Sequence, residues 1–565
     1  MRLEEIRIRN YRSIGDVTLR FPPNKPVILF GPNNAGKSNI LSAILNLRRF
    51  SLEYAYVPKW RPLANGASVY DTSASNGMLM MQHHFDPLME KFTNSGAPSR
   101  GCDSATEIML TVGLGARKKQ IVVGFRKCGV EDYLPYVKNE EVLPHLPLPA
   151  DPETPFIQVW ESGSGDPSYY LDYLKTVRGE EGNRHPEWFS KLIPEIDKRV
   201  SESIKEINVF DKLLQGQGDA LPASTFFVGS GQQAWVGRLG DLVAASVIKS
   251  AVDDLQLVLM DEPETHLHPN VEAQLWEKIQ TASESGAQVI MTTHSENFLC
   301  ADDIEGFVRV YKENGITKVR QLTKDELFYT CHPIPDDKDK DKDEDKGKSP
   351  VGEYWQVRLN ADQLKGFFAD VILLVEGATE YYALPIYLSQ RFLSQYGIQI
   401  VPCGSKSAIL TYWRLFTAYG YKCFILYDYD DQGDKWNKKL EKCFYSEPFS
   451  SGEKRYCISE TAAYLLNNWE DYFEFGIDEK KYKEIKSRLE KDYKIKFPSR
   501  NQDNKKKNSD PKELCAKLIA LETVEEKLSI PFIEALKSNL HKLASMSQED
   551  YAKYVETVTG RLKSE

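Results

Sequence analysis

The segment Phe424 to Lys435, FILYDYDDQGDK, runs from a strand-like apolar stretch straight into Asp428, Asp430, Asp431 and Asp434. In a strand, residues two apart share a face, so Asp428 and Asp430 project the same way from the carboxyl end of CFILY. Carboxylates held that close repel each other, and one pKa rises unless a cation lies between them. Hard oxygen donors of this kind suit Mg2+ or Mn2+. VILLVEGATE supplies a second apolar strand ending in an acid, Glu376, with Gly377 permitting close approach and Glu380 one helical turn on. Glu470, Asp471 and Glu474 in NNWEDYFE add a further acidic group. Four such carboxylate positions suffice for two ions about 3.5 to 4 Å apart, able to stabilise the attacking and leaving oxygens of a phosphodiester. Asp431 falls on the other face, and Asp434, following Gly433, reads as a helix N-cap.

A second group of residues suits phosphate chemistry. GPNNAGKS follows the strand-like PVILF and opens the helical SNILSAIL, fitting the G-x-x-x-x-G-K-[ST] pattern. There the loop of Gly31, Asn33, Asn34, Ala35 and Gly36 wraps backbone N–H groups around the phosphates of ATP. Lys37 neutralises β/γ charge, Ser38 offers its hydroxyl to Mg2+, and Asn39 completes the binding segment. In LQLVLMDEPETHLHP, Asp261 is expected in the Mg2+ shell and Glu262 to orient or deprotonate the attacking water. His294 in VIMTTHS is placed to touch the γ-phosphate. His266 and His268, and the pair His83 and His84, lack a matching Cys/His pair, so zinc is not expected.

These residues need parallel strands to bring them together. KPVILFG, QLVLMDEP and AQVIMTTHS alternate with helical segments, the mark of an α/β domain, here residues 1–330. Residues 48–225 within it carry no legible motif and are assigned as an insertion, with dimerisation as a candidate role. Alternating Asp and Lys over 331–352 reads as a solvated linker. A second, smaller α/β domain follows at 353–476, with strands DVILLVEG, IQIVPCG, KCFILYDYD and RYCIS. Residues 477–565 turn Lys/Glu-rich with helical spacing.

Composition narrows the function classes. The 565 residues suit three to four units of about 150 residues. No apolar run reaches the roughly 18 residues needed to span a bilayer. The opening MRLEEIRIRN reads as neither a secretory nor a transit peptide, so a cytoplasmic location is the expectation. Nine scattered cysteines with no C-x-x-C pair suggest neither zinc knuckle nor disulfide framework. A net charge of -10 argues against a chain-wide basic surface, though not against one local nucleic-acid groove.

The order LEEIRIRNYRSIGDVTLRFPPNKPVILFGPNNAGKSNILSAI, DEPETHLHP, TTHS resembles the ABC-type ATPase head of SMC and RecF-like proteins. The resemblance implies that FVGSGQQAWVGRL is a diverged signature segment. Ser230 and Gly231 would then cap the γ-phosphate bound to a second head, implying a homodimer or higher homo-oligomer. Residues 368–475 resemble a Toprim domain, with Glu376, Asp428 and Asp430 as its core acids. Glu380 and Glu470 match the extra acids of its nuclease branch. That branch implies a late catalytic lysine, for which Lys506, Lys507 and Lys512 are available and Lys512 is chosen.

An ABC-type head followed by a Toprim α/β domain and a helical C-terminal tail resembles the overcoming lysogenization defect (OLD) family. The resemblance implies a nucleotide-regulated, Mg2+- or Mn2+-dependent DNA endonuclease or nickase in anti-phage defence. Its relatives in Gabija and retron-associated systems imply partners such as a helicase-like protein or a retron reverse transcriptase/RNA–DNA complex, and no membrane. The alternatives are an SMC/RecF-like repair or clamp protein whose Toprim domain binds DNA without cutting, or a topoisomerase- or primase-like enzyme. No sequence context marks a strand-passing tyrosine or a polymerisation lobe.

Overall fold

The computed structural model describes residues 2–45, 60–62, 67–70, 106–114, 117–127, 133–138, 157–162, 195, 198–199, 202, 230–251, 255–265, 267–331, 351–430, 434–445, 455–476, 479–497 and 512–563. Most of 48–225 and of the 331–352 linker, together with His83, His84, His266, Asp431, Lys506 and Lys507, lies outside the described residues. The chain divides into two compact units, Met1–Gln321 and Leu322–Glu565. Among the described residues, no helix is long and apolar enough to cross a membrane.

The first unit is built on a thirteen-stranded mixed sheet. Its parallel heart is made of runs with no exposed face: VILF at Val27–Phe30 and LQLVLM at Leu255–Met260 are buried at every position, Gln256 included. Continuous apolar strands of that kind suit a sheet covered on both sides. Val27–Phe30 lies between Phe307–Glu313 and Gln288–Thr292, and Leu255–Met260 pairs with the far side of Gln288–Thr292, all in parallel. Gly31, Asp261 and His294 therefore leave the sheet at one carboxyl edge, where open α/β sheets bind ligands. The opening residues form an antiparallel pair, Arg2–Tyr11 with Ile14–Arg20, that extends the sheet.

The second unit holds a five-stranded sheet in the order Ile398–Pro402, Val371–Val375, Lys422–Tyr429, Ala462–Leu466, Tyr456–Ile458. The first four are mutually parallel and the last is antiparallel. Ala462–Leu466 is a strand the sequence reading passed over. RYCIS contributes only the antiparallel edge beyond it, and the acidic group of Glu470 follows Ala462–Leu466. The short AAYLL run has few β-branched residues and no alternation, so periodicity does not separate it from a buried helix segment.

The C-terminal helices belong to this same core. Ile519 of Lys512–Glu525 and Leu536, Leu540 and Leu543 of Pro531–Ser545 pack with Leu373, Val375 and Leu426 of the sheet. Lys422 Nζ donates to the carbonyls of Ala544, at 2.9 Å, and Met546, while the Cys423 N–H donates to Tyr551 Oη at 2.8 Å. Leu540 is fully buried. Leu540→Ala should therefore cost about 2 to 5 kcal/mol, seen as a lower urea midpoint of the Leu322–Glu565 unit within the full chain. An unchanged midpoint would detach the C-terminal helices from the core.

Candidate functional site

The phosphate loop joins Val27–Phe30 to a helix running through residues 37–45. Two of its residues must be glycine. Gly31 has φ +145° and an added Cβ would lie 2.0 Å from the Val310 carbonyl oxygen; Gly36 has φ +108° and a Cβ there would lie 2.1 Å from Thr317 Oγ1. The loop is buttressed from behind, with Thr317 Oγ1 donating to the Ala35 carbonyl at 2.9 Å and Asn39 Nδ2 to Ser13 Oγ at 2.7 Å. Asn33 and Asn34 are exposed at the loop's tip and Ala35 is buried beneath it. Asn39 is thus engaged with the buttress, on the inner side of the loop.

Lys37 is only 5% exposed, and its ammonium donates to the Gly31 and Pro32 carbonyls at 2.9 and 3.2 Å. Burial lowers its pKa, against the pull of Glu262, Asp261 and Glu264. Ser38 Oγ donates to Asp261 Oδ1 at 3.3 Å, bringing together the two residues expected around Mg2+. Three further contacts lace the DEPE turn to the strand beside it. Thr292 Oγ1 donates to Asp261 Oδ1 at 2.5 Å and accepts from the Glu262 N–H at 2.8 Å, while Glu264 Oε1 accepts from the His294 N–H at 2.6 Å. Glu262, in the left-handed region at φ 45°, lies 3.4 Å from His294 Nε2. Burial pushes Glu264 up, against its bond from His294. Thr292 and Glu264 carry no role in the sequence pattern alone, although both lie inside the quoted motifs. Ser230 and Gly231 open the helix Ser230–Ala251. His268 caps the helix Pro269–Glu284 through its side chain, a structural role.

In the second unit, the Val375–Leu426 register places Glu376 and Asp428 on adjacent strand ends. The Asp428 N–H donates to Glu376 Oε2 at 3.2 Å, and the Trp469 N–H to Asp428 Oδ2 at 3.3 Å. Asp428 Oδ1 is buried with no hydrogen-bond partner. Glu380 is 3% exposed and caps its own helix, accepting from the Gly377 N–H at 3.1 Å. Burial, then the charges of Glu380, Glu376 and Glu470, push Asp428 well above the usual carboxylate range. Glu380 is pushed up to about 7, first by burial and then by Glu376 and Glu470. Glu376 is also raised by burial, with the Lys406 ammonium pulling the other way.

Asp430 stands apart from that group. Strand structure ends at Tyr429, and the Asp430 carboxylate is ion-paired with Lys406, whose Nζ is also 3.8 Å from Asp434 Oδ2. Burial acts to raise the Asp430 pKa, but the Lys406 bond outweighs it and holds the group low. Asp434 is an N-cap, accepting from the Trp436 N–H at 2.6 Å. Lys512 is exposed, with Nζ 3.8 Å from Glu470 Oε1. Lys406 went unnoticed in the sequence; its signal is GSKSA after the strand IQIVP, at the same sheet edge as the acids.

Among the described residues, no three His, Cys, Asp or Glu side chains form a finished ligand set. The donor chemistry nonetheless fits a hard divalent cation: Glu376, Glu380, Asp428 and Glu470 offer carboxylate oxygens, one of them orphaned in the interior.

Residues 367–430 match the Toprim domain of overcoming lysogenization defect protein-like sequences, and residues 1–97 and 170–299 match an AAA ATPase domain. The Old nuclease of Escherichia phage P2 is 30% identical over 177 residues, 31% of this chain and 28% of that protein. The chain thus aligns with well under two thirds of that relative. Solved structures with a partly similar chain path include an SMC head bound to the C-winged helix domain of ScpA (15% identity, 58% of this chain and 99% of that one, TM-score 0.37). The recombination mediator RecF bound to ATP is another (14% identity, 57% and 97%, TM-score 0.33). Overlaps that loose add nothing to the argument. The phosphate loop and the two domain matches define a P-loop ATPase joined to a Toprim domain. In both domain matches and in its alignment with the Old nuclease, the chain is similar to the ATPase–Toprim proteins of the OLD family.

In the unfolded chain Glu380 ionises near the ordinary value of 4.5, whereas in the folded protein it holds its proton up to about 7. The folded state binds the extra proton in that window, so this group's contribution to stability falls as pH rises from about 4.5 to 7. With divalent ions chelated, Glu380→Gln should flatten that fall and leave the protein more stable than wild type above neutrality. Urea unfolding across the window checks this, and an identical slope in the variant would contradict it.

Proposed function

We propose that this chain is a nucleotide-regulated, divalent-metal-dependent DNA endonuclease or nickase. The observation that carries the reading is the Asp428 carboxylate, buried with one oxygen unpartnered and raised by burial and by three neighbouring carboxylates. Glu376, Asp428, Glu380 and Glu470 would hold Mg2+ or Mn2+, with Asp430 at the margin. Such ions supply charge stabilisation for the attacking and leaving oxygens of a phosphodiester. The chain's own part is orientation: the Asp428 and Trp469 backbone N–H groups fix the Glu376 and Asp428 carboxylates, and Glu380 is fixed by its helix cap. Lys512, within reach of Glu470, is the late lysine offered to the phosphate.

In the ATPase unit, Lys37 and the loop N–H groups would receive the ATP phosphates, with Ser38 and Asp261 on Mg2+. Glu262 would take the proton of the attacking water, with His294 beside it at 3.4 Å to meet the γ-phosphate. Ser230 and Gly231 of a second copy would close that site, making the working form at least a homodimer. The domains proposed are 1–330 for the ATPase, 353–476 for the nuclease and 477–565 for the C-terminal region. Anti-phage defence in the cytoplasm, with a helicase-like or retron reverse transcriptase/RNA–DNA partner, is the setting this reading suggests.

Plasmid cleavage with Mg2+ or Mn2+, with and without ATP, tests the reading. Glu376→Ala should lower cleavage by about a hundredfold or more. Lys37→Ala should weaken nucleotide binding by roughly tenfold to a hundredfold, read by fluorescent-nucleotide titration. Wild-type protein that never cuts, alone or with its partners, would end the nuclease reading.

A further inference from the structure

Lys406 occupies an expensive position. It is 6% exposed, and it stands in the first turn of the helix Lys406–Ala418, where the helix dipole disfavours positive charge. The cap does not require it, because Ser405 Oγ already accepts from the Ala408 N–H at 3.3 Å. Burying an ammonium is costly unless it is paired. The groups that offset the cost are Asp430, in direct contact, Asp434 with Oδ2 at 3.8 Å, and Glu376 through its charge. Asp434 has a separate task as a helix cap, while the Asp430 side chain is 54% exposed and faces solvent beside the carboxylate group.

We propose that Lys406 is a resident cation of the carboxylate site, competing with divalent metal for Asp430. The inference rests on the metal-binding reading above. It makes the carboxylate site unequal. Among the described residues, no buried ammonium is in contact with Glu376, Asp428, Glu380 or Glu470, and only the exposed Lys512 comes within 3.8 Å of Glu470, whereas binding through Asp430 requires displacing the Lys406 ammonium. Metal uptake by the full chain is therefore stepwise, with a tight step and a weak one.

Isothermal titration of the full chain with Mn2+, nucleotide absent and with Lys37→Ala as the common background, reads this directly. Lys406→Met should tighten the weak step by about tenfold or more, the effect of removing one competing charge at contact distance. Lys406→Arg, which keeps the charge, should retain two steps as in wild type. A Lys406→Met protein with wild-type circular dichroism and unchanged or weaker Mn2+ steps would overturn the inference. Should Lys406→Met fail to fold, Lys406→Gln is read by the same criteria. A parent protein with no saturable Mn2+ step removes the metal reading and this inference together; two steps indifferent to Lys406 remove the inference alone.

Discussion

Crowding of carboxylates at one end of a parallel sheet is the constraint on which the second unit depends. Parallel strands send all their carboxyl ends to one edge, so Glu376 and Asp428 are neighbours by topology, and the helix cap adds Glu380. The protein restrains the repulsion with backbone donors, the N–H groups of Gly377, Asp428 and Trp469, each pinning one carboxylate oxygen. Such bonds fix orientation without supplying a full counter-charge. The strain is carried by packing elsewhere: Val375, Leu426 and Leu465 close the strands behind the acids, and helices beyond residue 512 complete their core. An acidic site on a smaller sheet would have less apolar burial to set against it.

The first unit faces the opposite problem, gathering positive and dipolar groups for an anion. Here the chain buries Lys37 against its own loop carbonyls and relies on glycine at Gly31 and Gly36 to let the backbone curl. Its contacts form a connected ladder. Asp261 and Glu262 are tied to Thr292, and Glu264 to Thr293 and His294. A shift of His294 towards a ligand would pull on Glu264 and, through the short turn, on Glu262, whose left-handed backbone has little freedom to relax.

Legibility followed from how local each signal was. The phosphate loop declared itself because a G-x-x-x-x-G-K-S run encodes its whole geometry in eight residues. The acids at strand ends were legible because VILLV and CFILY are apolar throughout and end abruptly in charge. Ala462–Leu466 was not, since AAYLL has no alternation and its role comes only from pairing with Lys422–Tyr429. Lys406, Glu264 and Thr292 acquire meaning from partners 24 to 31 residues away or more, which spacing within one motif does not reveal. The i, i+2 rule placed Asp428 and Asp430 on one face, yet strand structure stops at Tyr429, and beyond that point the rule has no hold.

That stopping point bears on how the two sites use charge. At the nucleotide loop the chain supplies the cation and a ligand would bring the anions. At the carboxylate edge the chain supplies the anions, but through Lys406 it also supplies one cation of its own. The second site is thus partly neutralised by a group that stays tethered, and Asp430 is satisfied in a way that Asp428 is not. Ligands that relieve the remaining repulsion bind the folded form in preference to the unfolded one, and so stabilise it. Relief at Glu380 strengthens the unit most where its proton would otherwise be lost, on the alkaline side of about 7.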